Sequence, residues 1–495
     1  MNNKLLKNMK EDKVMKYSLC VVVFLLAIWH LWSLQYSPVV WYDEIVMAGI
    51  NHSIIDGRGF IDEVQGEGPA YAYGPIYFLM TVLSSKILGF GLYSLRLVNL
   101  LFAFICVFAT YKIIKRLNIT NLIAVVVIAI LAMDALLIQD AHSGRMECVA
   151  LTFALICYYL VVGEVSNSVK IKTVVIFSIS MALSFMTTPR VAVILLPIAI
   201  YYLWRLYSSH KWLGIVTYIL IPILLYSIWV YSSYGSYSEM INYYTVSHSN
   251  QTSSSLVDLF VGGNFMIAKY HIPMIILSVV AFLYSLKRDD RYLSLLFLCP
   301  IVVFYLIVKD TGDYATFILP FYVILIALGM EVVYNSRNSK IKPIIYSLIG
   351  VCLFVNIGIF LLKAATVVST LSTREWKPVD AWVAKVLKQG ESVTGSDAYY
   401  YSLAKNGNSY QRPYYIEIDN EVKCITGRFR PKYLLLTDED KEPYTKSVIP
   451  QLKLTKIAEY KPVKNKNFVT DFLDKHHIVV RSSYAGTLYR IDGIK

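Results

Sequence analysis

The sequence predicts a polytopic α-helical membrane protein of about eleven spans, with a small soluble α/β domain at its C-terminus. Three observations carry this. The 495-residue chain is 56% hydrophobic and only 16% charged, against roughly 25% charged in soluble domains. Apolar runs recur to about residue 363, each near the roughly 20 residues a helix needs to cross a hydrocarbon core. Beyond residue 364 the composition returns to that of a soluble protein. The alternating strands of a closed barrel, the other way to span a bilayer, are absent.

The N-terminus, "MNNKLLKNMKEDKVMK", precedes a long apolar run that ends in Trp and Tyr without a small-residue cleavage site. It therefore reads as an uncleaved first span. The spans are placed at 17–35, 93–114, 119–138, 146–163, 171–187, 190–208, 212–231, 270–286, 292–308, 315–333 and 343–362. With this set every basic cluster, from Lys4–Lys16 through Lys115/Arg116 and Arg288/Arg291 to Lys340/Lys342, falls in alternate loops. Those loops are cytoplasmic by the positive-inside rule. The N-terminus is then inside and the C-terminus outside. The apolar stretch 74–91 would invert every later basic loop if it spanned, so it is expected to be a juxtamembrane helix in the first outer loop, 36–92. A second outer segment, 232–269, is rich in Ser, Tyr, Asn and Gly and reads as a lid.

The chain divides into a transmembrane domain, 1–364, and an extracytoplasmic domain, 365–495. In the latter, "PVDAWVAKVLKQG" reads as an amphipathic helix and "ESVTGSD", "KYLLLTDED" and "IVVRSSYAGTLYRI" as strands. The net charge of +13 follows from the loop clusters. It is a topology signal, and no nucleic-acid partner is expected. Six of the seven cysteines lie in or beside apolar segments, so neither a disulfide framework nor metal-ligand spacing is present. No Walker A loop, HExxH or GxSxG occurs. The absence of a transit-peptide pattern predicts a bacterial inner (plasma) membrane location.

Polar residues gather at the outer span ends. They are Asp43 and Glu44 after the first span, "MDALLIQDAHSGRMEC" at 133–148, "TTPR" at 187–190 and "KDTGDYATFILP" at 309–320. Ionised groups at that depth are costly and persist where they have a partner or a task. Each also has a plainer reading. Asp43 and Glu44 suit a helix start or an interfacial salt bridge, and on a helix they point about 100° apart. Arg145 and Glu147 suit a loop-fixing ion pair, His142 an interfacial side chain, and Lys86 a snorkelling one.

In order along the chain, "WYDEIVMAGI", "YGPIYFLM", "YSLRLVNLLFA", "HSGRMECVALTF" and "KDTGDYATFILPFY", followed by an outer soluble tail, give a pattern that resembles the GT-C glycosyltransferases. The likeness is to the branch with protein O-mannosyltransferases and the aminoarabinose transferases of lipid A. It covers spans one to ten. The resemblance implies a transferase that moves a monosaccharide from a polyprenyl-phosphate donor to a glycan, lipid or protein acceptor at the outer leaflet, with inversion. It implies Asp43 as the base and Glu44 as its support. Tyr73, Lys86, Arg145, Glu147, Arg190, Lys309 and Tyr314 are the candidates for substrate and phosphate contact, guanidinium being suited to phosphate. Aminoarabinose transferases carry Lys before a Pro-Pro pair in the first loop; here the stretch reads "GPAYAYGPIYFL". Some relatives use a divalent cation. The acids Asp43, Glu44, Asp140 and Glu147 offer carboxylates for one, without a ligand spacing that points to it. Two other readings are a flippase for lipid-linked sugars and a non-catalytic envelope-assembly protein. A flippase is expected to carry charged or broken segments at the midplane and internal repeats, and neither is found.

Overall fold

A computed structural model describes residues 24–40, 42–64, 68–69, 73–163, 170–248, 271–308, 314–336, 340–412, 431–438, 452–462 and 484–494, with positions 468 and 471. The membrane part is a helical bundle. Its first helices are α1 (Phe24–Ser33), α2 (Tyr42–Ile55), α3 (Pro75–Leu88), α4 (Leu92–Arg116), α5 (Asn121–Ala132), α6 (Ala135–Ala141), α7 (Glu147–Gly163), α8 (Ile171–Phe185), α9 (Ala192–Ser208) and α10 (Trp212–Tyr234). Helices Ile272–Ser285, Arg291–Ile307, Leu319–Asn335 and Lys342–Ser369 complete it. Among the described residues five helices are long and apolar enough to cross a membrane alone, or six if one bent pair is a single span. The other expected spans are occupied by shorter apolar helices.

The core is organised around Leu319–Asn335. With the short 3-10 turn before it, 94% of its apolar window is buried in protein, against 22% for α10 and for Lys342–Ser369. The last two therefore present their apolar surface outward, through residues such as Leu213, Ile223, Ile228 and Phe354, as lipid-facing helices do. Gly329 lets the central helix cross Ile272–Ser285 closely, since a Cβ there would overlap the Ala281 backbone. Small residues at such crossings are the rule where lipid replaces water.

The run expected as one span at 119–138 is instead broken by a bend of 60° between α5 and α6. The reason is local. Asp134 accepts hydrogen bonds from the N–H groups of Leu136 and Leu137, so it starts a new helix as an N-cap. Its second oxygen meets His271 Nε2 at 2.8 Å.

The first outer loop carries a short antiparallel pair, β1 (Ile61–Asp62) and β2 (Gly68–Pro69). The C-terminal part adds a five-stranded sheet in the order β4-β3-β5-β7-β6. These strands are β3 (Ser392–Gly395), β4 (Ser409–Tyr410), β5 (Tyr433–Thr437), β6 (Leu452–Tyr460) and β7 (Gly486–Ile494), preceded by helix Lys377–Val386. β3 runs parallel to β4 and β5, whereas β7 is antiparallel to both of its neighbours. β6 has no counterpart in the sequence reading. It is an edge strand carrying Lys453 and Lys456, a charge pattern that protects edges from further pairing and hides apolar alternation.

The sheet domain sits directly on the first connecting loop. Arg374 Nη1 donates to the Tyr36 carbonyl at 2.9 Å, and the Arg412 N–H donates to the Val64 carbonyl at 3.1 Å. Tyr400 OH donates to Glu63 Oε1 at 2.6 Å, and His52 and Arg58 contact the same carboxylate. Burial alone would raise the Glu63 pKa, but hydrogen bonds from His52 and Tyr400 and the Arg58 charge hold it below the usual carboxylate range. A carboxyl with a depressed folded pKa contributes stability above its unfolded pKa and loses it as pH falls through the folded value. The docked tail is therefore expected to loosen on acidification below about pH 4.5. Hydrogen exchange at 61–64 and at Tyr400, followed against pH, checks this. Glu63→Gln should flatten that part of the pH dependence.

Candidate active site

Asp43 and Glu44 occupy the first turn of α2, and the helix sends them in different directions. Glu44 is fully buried. Arg96, also fully buried, grips it with Nε to Oε1 at 2.6 Å and Nη2 to Oε2 at 2.7 Å. The third guanidinium nitrogen, Nη1, donates to the Leu34 carbonyl at 2.8 Å. This bidentate pair neutralises both charges where water cannot. Gly144 packs against the Glu44 side chain, and a Cβ there would lie 3.0 Å from Glu44 Cγ. Glu44, expected as a support for Asp43, is thus held wholly by Arg96. Its carboxylate is consumed in pinning α2 to α4 and has no face open to a substrate.

Asp43 differs. Its side chain keeps 31% of its surface exposed, and Oδ2 lies 3.5 Å from Arg145 Nη1. Arg145 is buried and turns Nη2 to Glu147 Oε1 at 2.8 Å. Its guanidinium carbon lies 5.2 Å from the centroid of the Tyr314 ring, while that of Arg190 lies 4.4 Å from the same centroid. Tyr314 thus has two guanidiniums on its ring, a cation–π arrangement. Burial raises the Tyr314 phenol above its ordinary value, against the opposing pull of Arg190 and Arg145.

Arg145 and Arg190 differ in what is left for a ligand. Arg145 faces two carboxylates. Arg190 is exposed, and its contact among the described residues is the Tyr314 ring. It sits on a short 3-10 turn, Pro189–Val191, between α8 and α9.

A close backbone crossing brings the first loop to that turn. The Ile76 N–H donates to the Met186 carbonyl at 3.3 Å, and a Cβ on Gly74 would overlap that oxygen. Tyr73 is therefore held near Arg190 and Asp43. Burial first, then the charges of Asp62 and Asp43, raise its phenol well above the ordinary value, against the pull of Arg190. Tyr73 is an O–H donor at neutral pH.

Asp43, Tyr73, Arg145, Glu147, Arg190 and Tyr314 thus meet at one end of the bundle. Lys86 does not join them. It lies exposed eleven residues along α3 from Pro75, about 16 Å of helix away. Lys309 lies outside the described residues. His142 is buried, with Nδ1 at 3.1 Å from the Ser37 carbonyl and Nε2 at 2.9 Å from His30 Nδ1, so it serves packing. Asp140 accepts from the Thr316 hydroxyl. Among the described residues no group of three or more His, Cys, Asp or Glu is placed to hold a metal, and the carboxylates of Asp43 and Glu147 already face Arg145.

Arg96, present in the sequence reading only within "YSLRLVNLLFA", was given no role there; the structure makes it the buried partner of Glu44. A lone arginine at the start of an apolar run, "YSLRLVNLL", requires a buried counter-charge, and that requirement was the available signal.

No protein-family model matches the chain, and no curated protein matches its sequence. Its structure, however, is similar to ArnT from Cupriavidus metallidurans in the apo state. The TM-score is 0.63 at 12% identity, over 96% of this chain and 98% of that one. ArnT from the same organism bound to undecaprenyl phosphate gives 0.56 at 11% identity, with the same two coverages, 96% and 98%. The Archaeoglobus fulgidus oligosaccharyltransferase in complex with zinc and sulfate gives 0.50 at 9% identity, over 81% of this chain and 64% of that one. The likeness is one of fold and, at 96% coverage, takes in both the bundle and the tail: the chain shares the fold of these solved structures.

Proposed function

We propose that the protein transfers a monosaccharide from a polyprenyl-phosphate donor to a hydroxyl of an envelope acceptor, with inversion and with Asp43 as base. One observation carries the reading. Among the described acids around Arg145, Asp43 keeps 31% of its side chain exposed while Glu44, Glu147 and Asp140 are buried, and the Arg145–Tyr314–Arg190 stack stands beside it. Such a carboxylate takes the acceptor O–H proton as the oxygen attacks the anomeric carbon. The bond from that carbon to the phosphate oxygen breaks, and its electron pair leaves with polyprenyl phosphate. Arg190, which meets no carboxylate among the described residues, receives the departing phosphate. Arg145 aims Asp43, and the Tyr73 hydroxyl donates to a substrate oxygen. The GT-C fold, shared with an ArnT bound to undecaprenyl phosphate, supports a lipid-linked donor. In this reading the eleven expected spans, which leave out Pro75–Leu88, cross a bacterial inner membrane, the N-terminus is cytoplasmic and the site and tail face outward.

The test supplies purified protein in nanodiscs with a panel of polyprenyl-phosphate sugars and envelope extract, and follows both products by mass spectrometry. Wild type should release polyprenyl phosphate and glycosylate an acceptor. Intact donor recovered across the whole panel would favour the flippase. Arg190→Ala is expected to raise the donor KM about tenfold, the size of one charge-assisted hydrogen bond, with a smaller change in kcat. Arg190→Lys should recover part of it. An unchanged donor KM in Arg190→Ala removes Arg190 from the phosphate site.

A further inference from the structure

We propose that Arg412, contributed by the C-terminal domain, is a positioning residue for Asp43; the inference rests on the transfer reading above. Asp43 lies between two neighbours that are each held from a different side. Glu44 is fixed from within the bundle by Arg96. Tyr42, the first residue of α2, is covered from the tail, because the Arg412 guanidinium carbon lies 4.0 Å from its ring centroid. First-turn residues of a helix lack the full set of backbone hydrogen bonds that hold its interior. The aim of Asp43 therefore depends on what grips the residues beside it.

Arg412 is built to hold still. Its Nε lies 3.0 Å from Asp397 Oδ1. Asp397 in turn receives the Tyr410 hydroxyl at 3.2 Å, and that hydroxyl also donates to the Gly395 carbonyl at 2.7 Å. The Arg412 N–H is bonded to the Val64 carbonyl at 3.1 Å, while the Val64 N–H donates to Asp62 Oδ1 at 3.1 Å. The same Asp62, with Asp43 and Tyr42, sets the electrostatic surroundings of the Tyr73 phenol. The guanidinium charge is met by Asp397, so Arg412 does not act as a second phosphate cation. It offers a planar cover on Tyr42, and through it the tail domain closes one wall of the site. A reactive group held on both flanks in this way is preorganised.

The test is a double-mutant cycle in the full-length protein, with Arg412→Ala, Tyr42→Leu and the pair. 3-Fluorotyrosine at position 42 alone adds a readout that does not depend on turnover. Arg412→Ala should lower kcat about tenfold, the effect of a displacement well below 1 Å, with the donor KM unchanged within about twofold. Tyr42→Leu should do the same, and the double variant should lose no more than either single one. Arg412→Lys should recover part of kcat. The fluorine resonance at position 42 should move in Arg412→Ala while the melting temperature holds. Wild-type kcat in a folded Arg412→Ala, or two independent multiplicative losses, overturns the proposal. If wild type releases no polyprenyl phosphate from any donor but the resonance still moves, the transfer reading fails and the clamp on Tyr42 stands.

Discussion

Asp43→Asn is expected to reduce glycosyl transfer by about 10²–10⁴-fold, the range lost when a positioned general base is removed. Asn keeps the size of the side chain and its place beside Arg145, so donor affinity should remain close to wild type. The loss should fall on kcat, as for an interaction made only in the transition state. The bundle should stay intact, since the half-open Asp43 lies 3.5 Å from Arg145 while Arg145 keeps its 2.8 Å bond to Glu147. Kinetics with saturating donor, together with a binding isotherm for the donor, separate the two effects. A folded Asp43→Asn enzyme with wild-type kcat assigns the base elsewhere.

Arg96→Ala should be the most damaging change outside the reacting groups. Removing one member of a buried ion pair leaves the other charge uncompensated, at about 3–5 kcal/mol. Here the orphan is Glu44, which is fully buried. Leu34 also loses its side-chain donor. Replacing both partners, as in Glu44→Gln with Arg96→Met, should recover much of the stability, because no bare charge remains. Thermal unfolding of the purified variants in one detergent checks this. If the Arg96→Ala protein melts with wild type, the pair is not what holds α2 on α4.

The helical architecture was legible because its cause is one-dimensional. A stretch such as 212–231 must be apolar at nearly every position to face lipid, whatever it packs against. Basic clusters at loop ends are equally local signals. The bend at Asp134 was less visible, because a single capping side chain decides it within an apolar run. β6 was hidden for the opposite reason. As an edge strand it needs charges, and its pairing with β7 runs from Leu452 with Ile494 to Tyr460 with Gly486, across 26 to 42 positions of sequence.

The site divides in the same way. Sidedness and the resemblance put Asp43, Arg145, Arg190 and Tyr314 on one list of candidates, with Lys86 and Lys309 among them, and the structure brings the first four together. The division of labour was not readable, because it depends on partners remote in sequence. Glu44 and Asp43 are adjacent, yet one is claimed by Arg96, fifty-two residues on, and the other stays half-open. Arg145 and Arg190 look alike in the sequence, but contact geometry shows that the first is occupied by carboxylates and that the second, among the described residues, is not. Lys86 was grouped with them because nothing in the sequence fixes which end of α3 meets the bundle. Gly74, at the crossing over Met186, fixes it.

The most direct measurement is a single-turnover experiment in nanodiscs, with excess enzyme, a labelled polyprenyl-phosphate sugar and acceptor, comparing wild type with Asp43→Asn. Wild type should convert the bound donor to polyprenyl phosphate and glycosylated acceptor of inverted anomeric configuration, while Asp43→Asn binds the donor and leaves it intact. Equal cleavage by both proteins, or donor carried across the bilayer uncleaved by wild type, would contradict a transfer reaction based on Asp43.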